Sequence, residues 1–277
     1  LKTAILIIGY NRPNLFKQVV TSVKNNNSDY RKYISLDNCG DDSIIKKHID
    51  ICRDNFPTFS FELRNNRVRQ DIHIFKSLKT VFEQGYDRVI YLEDDTLISD
   101  NGIKLLDNIL NWTDSCLKNV GMAQLWSNRT FTINDIIRDE NVLAYTGENL
   151  WGAVIKKECW FSCLPVIEKY MEELDYKDFT KIRAMLARMD VNIRGIPEFY
   201  RAELMKDYVM GWDGFFHKLY MSKGWRRVST VIPRCINIGK DGENSCQEAW
   251  NALGYGRVKL YQDIVIPTEF KFINEEY

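Results

Sequence analysis

The chain has 277 residues, with 38 basic and 38 acidic side chains, 45% hydrophobic and 27% charged residues, and a net charge of zero. That length allows a substantial core, as one large domain or two small ones. The balanced charge argues against a broad nucleic-acid footprint, which rests on excess positive charge, and no apolar run reaches the roughly 20 residues that cross a bilayer.

In chain order, "TAILIIGYNRP" is an apolar run of strand length that stops at a Gly and a Pro, predicting a buried strand and a loop. "NLFKQVVTSVKNN" has Leu15, Val19, Val20 and Val23 at helical spacing. "KYISLDNCGDD" is a second strand ending at Asp37, "SIIKKHIDICRDNF" a helix, "FSFEL" a third strand and "DIHIFKSLKTVFEQG" an amphipathic helix. "DRVIYLEDD" is a fourth strand, apolar on both faces, with Glu93, Asp94 and Asp95 at its carboxyl end. Strands alternating with helices of this length predict an α/β fold, a mostly parallel sheet with helices on both sides. Ligands bind beyond the carboxyl ends of such strands. The loop Gly9–Arg12, Asp37 and the acidic triplet all follow strands, so they are expected along one edge.

Two readings of the triplet compete. Asp95 or Thr96 caps a following helix, gaining a few tenths of a kcal/mol from its dipole. Alternatively, the carboxylates extend a buried strand, where a hard divalent cation removes the cost of burying them.

Downstream, "AYTGENLWGAVIKKECW" predicts a Gly-containing loop entering a helix at about residues 153–163. "KDYVMGWDGFFHKLYMSKGW" sets a single acid, Asp213, between Trp212 and Gly214, and helix N-capping ahead of an aromatic stripe is the competing role for it. "RRVSTVIPRCINIGKDGENS" ends in a polar, Gly-rich stretch that reads as a mobile loop. The seven cysteines are odd in number and form no close CxxC pairs, which argues against a zinc site or a disulfide scaffold. Cys159 and Cys163 read as small core residues. His48 and His73 have no carboxylate or Cys partner at ligand spacing and read as structural. Sequons at Asn26, Asn111 and Asn128 are no more than an Asn-rich chain produces by chance.

The order of these motifs resembles the GT-A nucleotide-sugar glycosyltransferases, in particular the family of animal N-acetylglucosaminyltransferase I and the related protein O-mannose N-acetylglucosaminyltransferase. The matching stretches are "LIIGYNR", "ISLDNCG" (one residue longer than the family form), Glu93-Asp94-Asp95, "LWGAVIKKECW", Trp212-Asp213 and "VIPRCINIGKDG", from about residue 3 to about 245. The resemblance implies one GT-A domain over 1–277. Its nucleotide-sugar half is 1–100, its donor-sugar and acceptor half 101–245 with a helical insertion near 165–205, and 246–277 a C-terminal extension.

It further implies that Asp95 ligates Mn2+ (or Mg2+), that Asp94 contacts the ribose and Glu93 the donor sugar, and that Asp213 is the catalytic base. Tyr10, Asn11, Arg12, Asp37, Trp151 and Gly152 would line the nucleotide and donor. The implied reaction moves a sugar, first N-acetylglucosamine, from a UDP-sugar to a hydroxyl of a glycan, lipid-linked or protein-linked acceptor, with inversion. UDP-glucose or UDP-galactose as donor stays open, as does a non-catalytic sugar-nucleotide-binding module. A nucleotidyltransferase fits less well, since "GYNRPN" is not a Gly-rich basic phosphate loop.

Two departures stand out. The family's Arg four positions after the base is His217 here, and two roles stay open for it: assistance with a charge that depends on pH, or ordinary burial. Trp160 and Trp212 are 52 residues apart, much farther than in the family. The extra sequence holds Phe179, Ile182, Met185, Leu186 and Met189 at helical spacing, with Lys177, Lys181, Arg183 and Arg188. Packing on the domain or a partner is the simpler expectation for it, and peripheral membrane contact through 177–194 the alternative. The start at Leu1, almost directly in a strand, reads as a trimmed end. Placement therefore stays open between cytoplasmic or peripheral at a membrane and lumenal behind an anchor.

Overall fold

β1 (Thr3–Gly9) is buried at every position, and its side chains alternate between two cores. Ala4, Leu6 and Ile8 face one cluster, while Ile5 and Ile7 face the other. Strand geometry sends successive side chains to opposite faces, so a continuous apolar run belongs in a sheet covered on both sides. In the computed structural model, residues 1–68, 70–127, 132–146, 149–174, 212–240, 251, 255–262 and 266–273 are described.

Among these residues the sheet has nine strands. β1 pairs in parallel with β2 (Arg31–Leu36) and β4 (Arg88–Leu92), and β2 in parallel with β3 (Ser60–Leu63). The predicted first four strands thus form one parallel unit with a common carboxyl edge. α1 (Pro13–Asn25), α2 (Asp42–Asn55) and α4 (Gly102–Cys116) cover one face, and α3 (Gln70–Glu83) with α6 (Lys157–Leu174) and α7 (Trp212–Ser222) the other. In α1 the buried residues are Phe16, Val19, Val20 and Val23, so Phe16 takes the place expected for Leu15. Each such side chain is worth about 1.5–3 kcal/mol of burial. Asp41 starts α2 by accepting from the Ser43 and Ile44 backbone N–H groups, as an N-cap should.

Two expectations need correction. Residues 153–156 do not open a helix: Ala153–Lys156 is strand β8, antiparallel to β4 and to β6 (Val120–Gln124). A four-residue apolar run carries too little period to separate strand from helix, and pairing on both sides decides it. α6 then starts at Lys157. The triplet is also followed by no helix. Residues 96–98 are a short strand, β5 (Thr96–Ile98), paired antiparallel with β10 (Cys235–Asn237). The next helix, α4, begins only at Gly102, so neither Asp95 nor Thr96 is a helix cap.

The sheet continues beyond β6 through β9 (Arg226–Thr230), β7 (Val142–Tyr145) and β11 (Lys271–Phe272). A short helix, α5 (Ile133–Asp139), precedes β7 behind a capping box made by Thr132 and Asp135. Sheet and helices make one α/β domain with a mostly parallel sheet. Residues 165–174 of the expected insertion belong to α6, whereas its remainder, the basic segment 177–194 included, lies outside the described residues. So does 241–250, most of the stretch expected to be a mobile loop. No helix among the described residues is long and apolar enough to cross a membrane.

Candidate active site

β4 ends at Leu92, and the chain turns at once: the Thr96 N–H donates to the Glu93 carbonyl at 3.1 Å. The turn gathers Glu93, Asp94 and Asp95, and all three are buried. Next to it, at the carboxyl end of β1, Tyr10 to Arg12 lead into α1. Arg12 Nη2 lies 2.8 Å from Asp95 Oδ2 and in still closer contact with Asp94 Oδ1, while Nε donates to Asp94 Oδ2 at 3.4 Å. One guanidinium therefore bridges two adjacent carboxylates. Burial opposes its charge, but Asp94 and Asp95 outweigh burial and hold it firmly protonated.

The acids are not fully compensated. Glu93 is pushed up to about 8 by burial and by the charges of Asp95 and Asp213. Asp95 is raised to about 6 by burial and Asp94, against the pull of Arg12. Asp94 is raised by burial despite Arg12 and a backbone N–H of Tyr10. Asp213 sits in the first turn of α7, half-buried, its Oδ1 accepting from the Gly214 N–H at 2.8 Å. Its charge bears on Glu93, so the acid expected as a base lies within electrostatic reach of the triplet, from an element 120 residues away in sequence (213 against 93).

Other expected residues fall into place unevenly. Asp37, at the end of β2 on the same edge, accepts from the Asn38 and Val68 N–H groups at 2.9 and 3.0 Å. Tyr10 is half-buried under the Arg67 guanidinium, 5.0 Å from its ring centre, and Asn11 is exposed. Trp151 packs into an aromatic cluster, its ring 4.7 Å from Trp126 and 5.0 Å from Tyr255. Gly152 has a φ of +61°, and a Cβ there would meet Cys235 at 3.0 Å. The left-handed turn lets the chain enter β8 beside the β5–β10 ribbon.

His217 is pushed down to about 4 by burial and by the positive charges of Arg227 and Lys218. Its Nδ1 lies 2.5 Å from the Tyr220 hydroxyl, so a neutral, packed imidazole replaces the assisting cation considered from the sequence. His48 and His73 are buried and bonded to the Ile44 and Ser35 carbonyls. Cys159 and Cys163 lie in the core, as expected of small apolar residues.

The sequence reading missed part of the site. Asn237, the last residue of β10, donates to Asp95 Oδ1 at 3.0 Å and accepts from the Gly239 N–H at 2.7 Å. A Cβ on Gly239 would lie 2.1 Å from Asp95 Oδ2. Gln70, opening α3, donates to Glu93 Oε2 at 3.1 Å. The available signal was the "NIG" at 237–239, an Asn two residues before a Gly in a segment that follows a strand.

A divalent cation fits this donor set. The oxygens are hard carboxylates, and a positive guanidinium already stands 2.8 Å from Asp95 Oδ2. Among the described residues no three His, Cys, Asp or Glu side chains form a metal cluster. Small hard cations are commonly held through one or two carboxylates together with substrate phosphates, and Asp95 suits that mode.

No protein-family model and no curated protein matches the sequence. Among solved structures, the S. aureus TarS crystal structure is similar at 8% identity and a TM-score of 0.45, over 74% of this chain and 42% of that one. TarS 1–349 is similar at 9% identity and 0.45, over 91% and 79%. The mannosyltransferase PcManGT from Pyrobaculum calidifontis, in complex with GDP-Man and Mn2+, is similar at 12% identity and 0.39, over 80% and 73%. This chain thus spans less than half of the first of these TarS structures.

Proposed function

We propose that the chain is a metal-dependent inverting glycosyltransferase that moves a sugar, first N-acetylglucosamine, from a UDP-sugar to a hydroxyl of a glycan or glycoconjugate. The observation that carries this reading is the turn at Glu93–Thr96, whose buried acids are bridged by Arg12 and lie within electrostatic reach of Asp213 at the carboxyl edge of the sheet. Burying several carboxylates together is costly, and such perturbed groups gather at functional sites.

In this reading Asp95 holds Mn2+ or Mg2+, which when bound supplies Lewis-acid charge to the leaving diphosphate. Asp94 takes the ribose and Glu93 a hydroxyl of the donor sugar, kept in place by Gln70. Tyr10, Asn11, Arg12 and Asp37 flank the nucleotide, while Trp151 and Gly152 shape the donor side. Asp213 accepts the proton of the acceptor hydroxyl as that oxygen bonds to the sugar C1. The C1–O bond to the diphosphate breaks, and its electron pair leaves on the phosphate oxygen. A single displacement inverts C1 and needs no enzyme nucleophile.

The test is thermal stabilisation by UDP and GDP, each with and without Mn2+. A ligand that binds only the native state raises the midpoint by mass action. Stabilisation by UDP that requires Mn2+ and disappears in Asp95→Ala is the expected result. Stabilisation by GDP alone would redirect the donor, and none by any nucleotide would overturn the reading.

A further inference from the structure

The Asp95 carboxylate is held from two sides, by Asn237 on Oδ1 and by Arg12 on Oδ2. Oδ1 takes the Asn237 amide at 3.0 Å, and the Asp95 backbone carbonyl takes the Ile238 N–H at 2.8 Å. The Gly239 backbone lies so close that a Cβ would stand 2.1 Å from Oδ2 and 2.8 Å from Arg12 Nη1. Arg12 Nη2 stands 2.8 Å from Oδ2, the same nitrogen that contacts Asp94. A cation on Oδ2 and the guanidinium compete for one oxygen, because two positive groups held on it repel each other.

We propose that Arg12 is a cation latch. Its guanidinium occupies the place beside Asp95 Oδ2 that the divalent ion takes, and it leaves when a nucleoside diphosphate arrives with the metal. The inference rests on the metal-dependent reading above and adds the order in which the site is filled. A diphosphate offers the guanidinium a new anionic partner of matching geometry. Arg12 sits at the entry to α1 with no side-chain cap bond to that helix, so its release does not unmake the helix start. The latch also gives the buried acids a counter-charge whenever the ion is elsewhere.

The consequence is linkage. The apparent affinity of a site that is mostly closed falls by the fraction that is open, so a latch shut 99% of the time weakens free-ion binding about a hundredfold. Metal and nucleotide then tighten each other by one reciprocal factor.

The experiment measures Mn2+ binding by the loss of the free-ion EPR signal, with and without UDP, in the wild type, Arg12→Gln and Arg12→Lys. Gln removes the competing charge, and Lys keeps a point charge that does not bridge two carboxylates. Without UDP, Arg12→Gln should bind Mn2+ about ten to a hundred times more tightly than the wild type, and Arg12→Lys should fall between them. In both, the factor by which UDP tightens Mn2+ should shrink. A purely structural role for Arg12 would move UDP-free affinity the other way, by loosening the site.

Should Arg12→Gln fail to fold with its acids uncompensated, Arg12→Lys carries the test. Unchanged or weaker UDP-free affinity in the variants that fold, with Mn2+ still taken up by the wild type in UDP, overturns the latch alone. No Mn2+ uptake by the wild type even with UDP overturns the metal-dependent reading and the latch with it.

Discussion

The two ends of β4 carry opposite kinds of charge cluster. At its start, the Arg88 side chain is almost wholly buried and donates to Asp114 at 2.9 Å and to Asn111 at 3.0 Å. Lys156 contacts the other Asp114 oxygen, and Asp107, which accepts from the Tyr30 hydroxyl at 2.6 Å, feels the Arg88 charge. Two cations there meet two carboxylates. At its end, the charges of four carboxylates (Glu93, Asp94, Asp95 and Asp213) act on one another, and Arg12 contacts two of them, Asp94 and Asp95. An open cavity of about 390 Å3 lies at the balanced end, lined in part by Arg88, Asp114 and Lys156. Arg88 and Lys156 in its walls are already paired with Asp114, so its size does not make it the reactive site. A closed, neutral network holds a strand in place, whereas a surplus of one sign is tolerated where a ligand of the other sign is to come.

The largest effect expected from this contrast is at the acidic end. Asp213→Asn should lower transfer by about 10^2 to 10^4 while UDP still stabilises the protein in the presence of Mn2+. Full turnover in Asp213→Asn would remove the base assignment and leave the surplus charge without its chemical purpose.

A second test concerns the rule itself, that the interior rejects uncompensated charge. His73 is pushed down to about 4 by burial and by Arg64, with Nε2 bonded to the Ser35 carbonyl and Nδ1 lacking a partner among the described residues. The unfolded chain therefore takes up the proton first, near the ordinary pKa of about 6.5. Stability is fully present above that pH and is lost as pH falls toward 4. Urea unfolding should show a His73-dependent loss on the order of 3 kcal/mol across this window, absent in His73→Gln. An identical pH slope in the two proteins would show that His73 is not held neutral.

The smallest effect is expected at the balanced end. Arg88→Leu should cost about 2 kcal/mol of stability, less than breaking a fully buried pair, because Asp114 is 44% exposed and water takes up part of the loss. UDP–Mn2+ stabilisation relative to the variant's own midpoint should stay unchanged. Loss of that stabilisation would mean that the two ends are coupled and that the contrast between them is false.

Much of this was legible in the chain. The apolar runs at 3–9 and 88–92, helical spacing between them and an acidic triplet after the fourth strand determine an α/β sheet with an acidic cluster on its carboxyl edge, because side-chain periodicity and strand ends are local properties of sequence. Tertiary structure alone decided the rest. It made 153–156 a strand between two antiparallel partners and turned 96–98 away from the helix that the capping reading required. It set Arg12 against acids 82 residues away and Asn237 against Asp95 across 142 residues. Pairing and charge compensation depend on which distant groups share a space, and no periodicity along the chain records that.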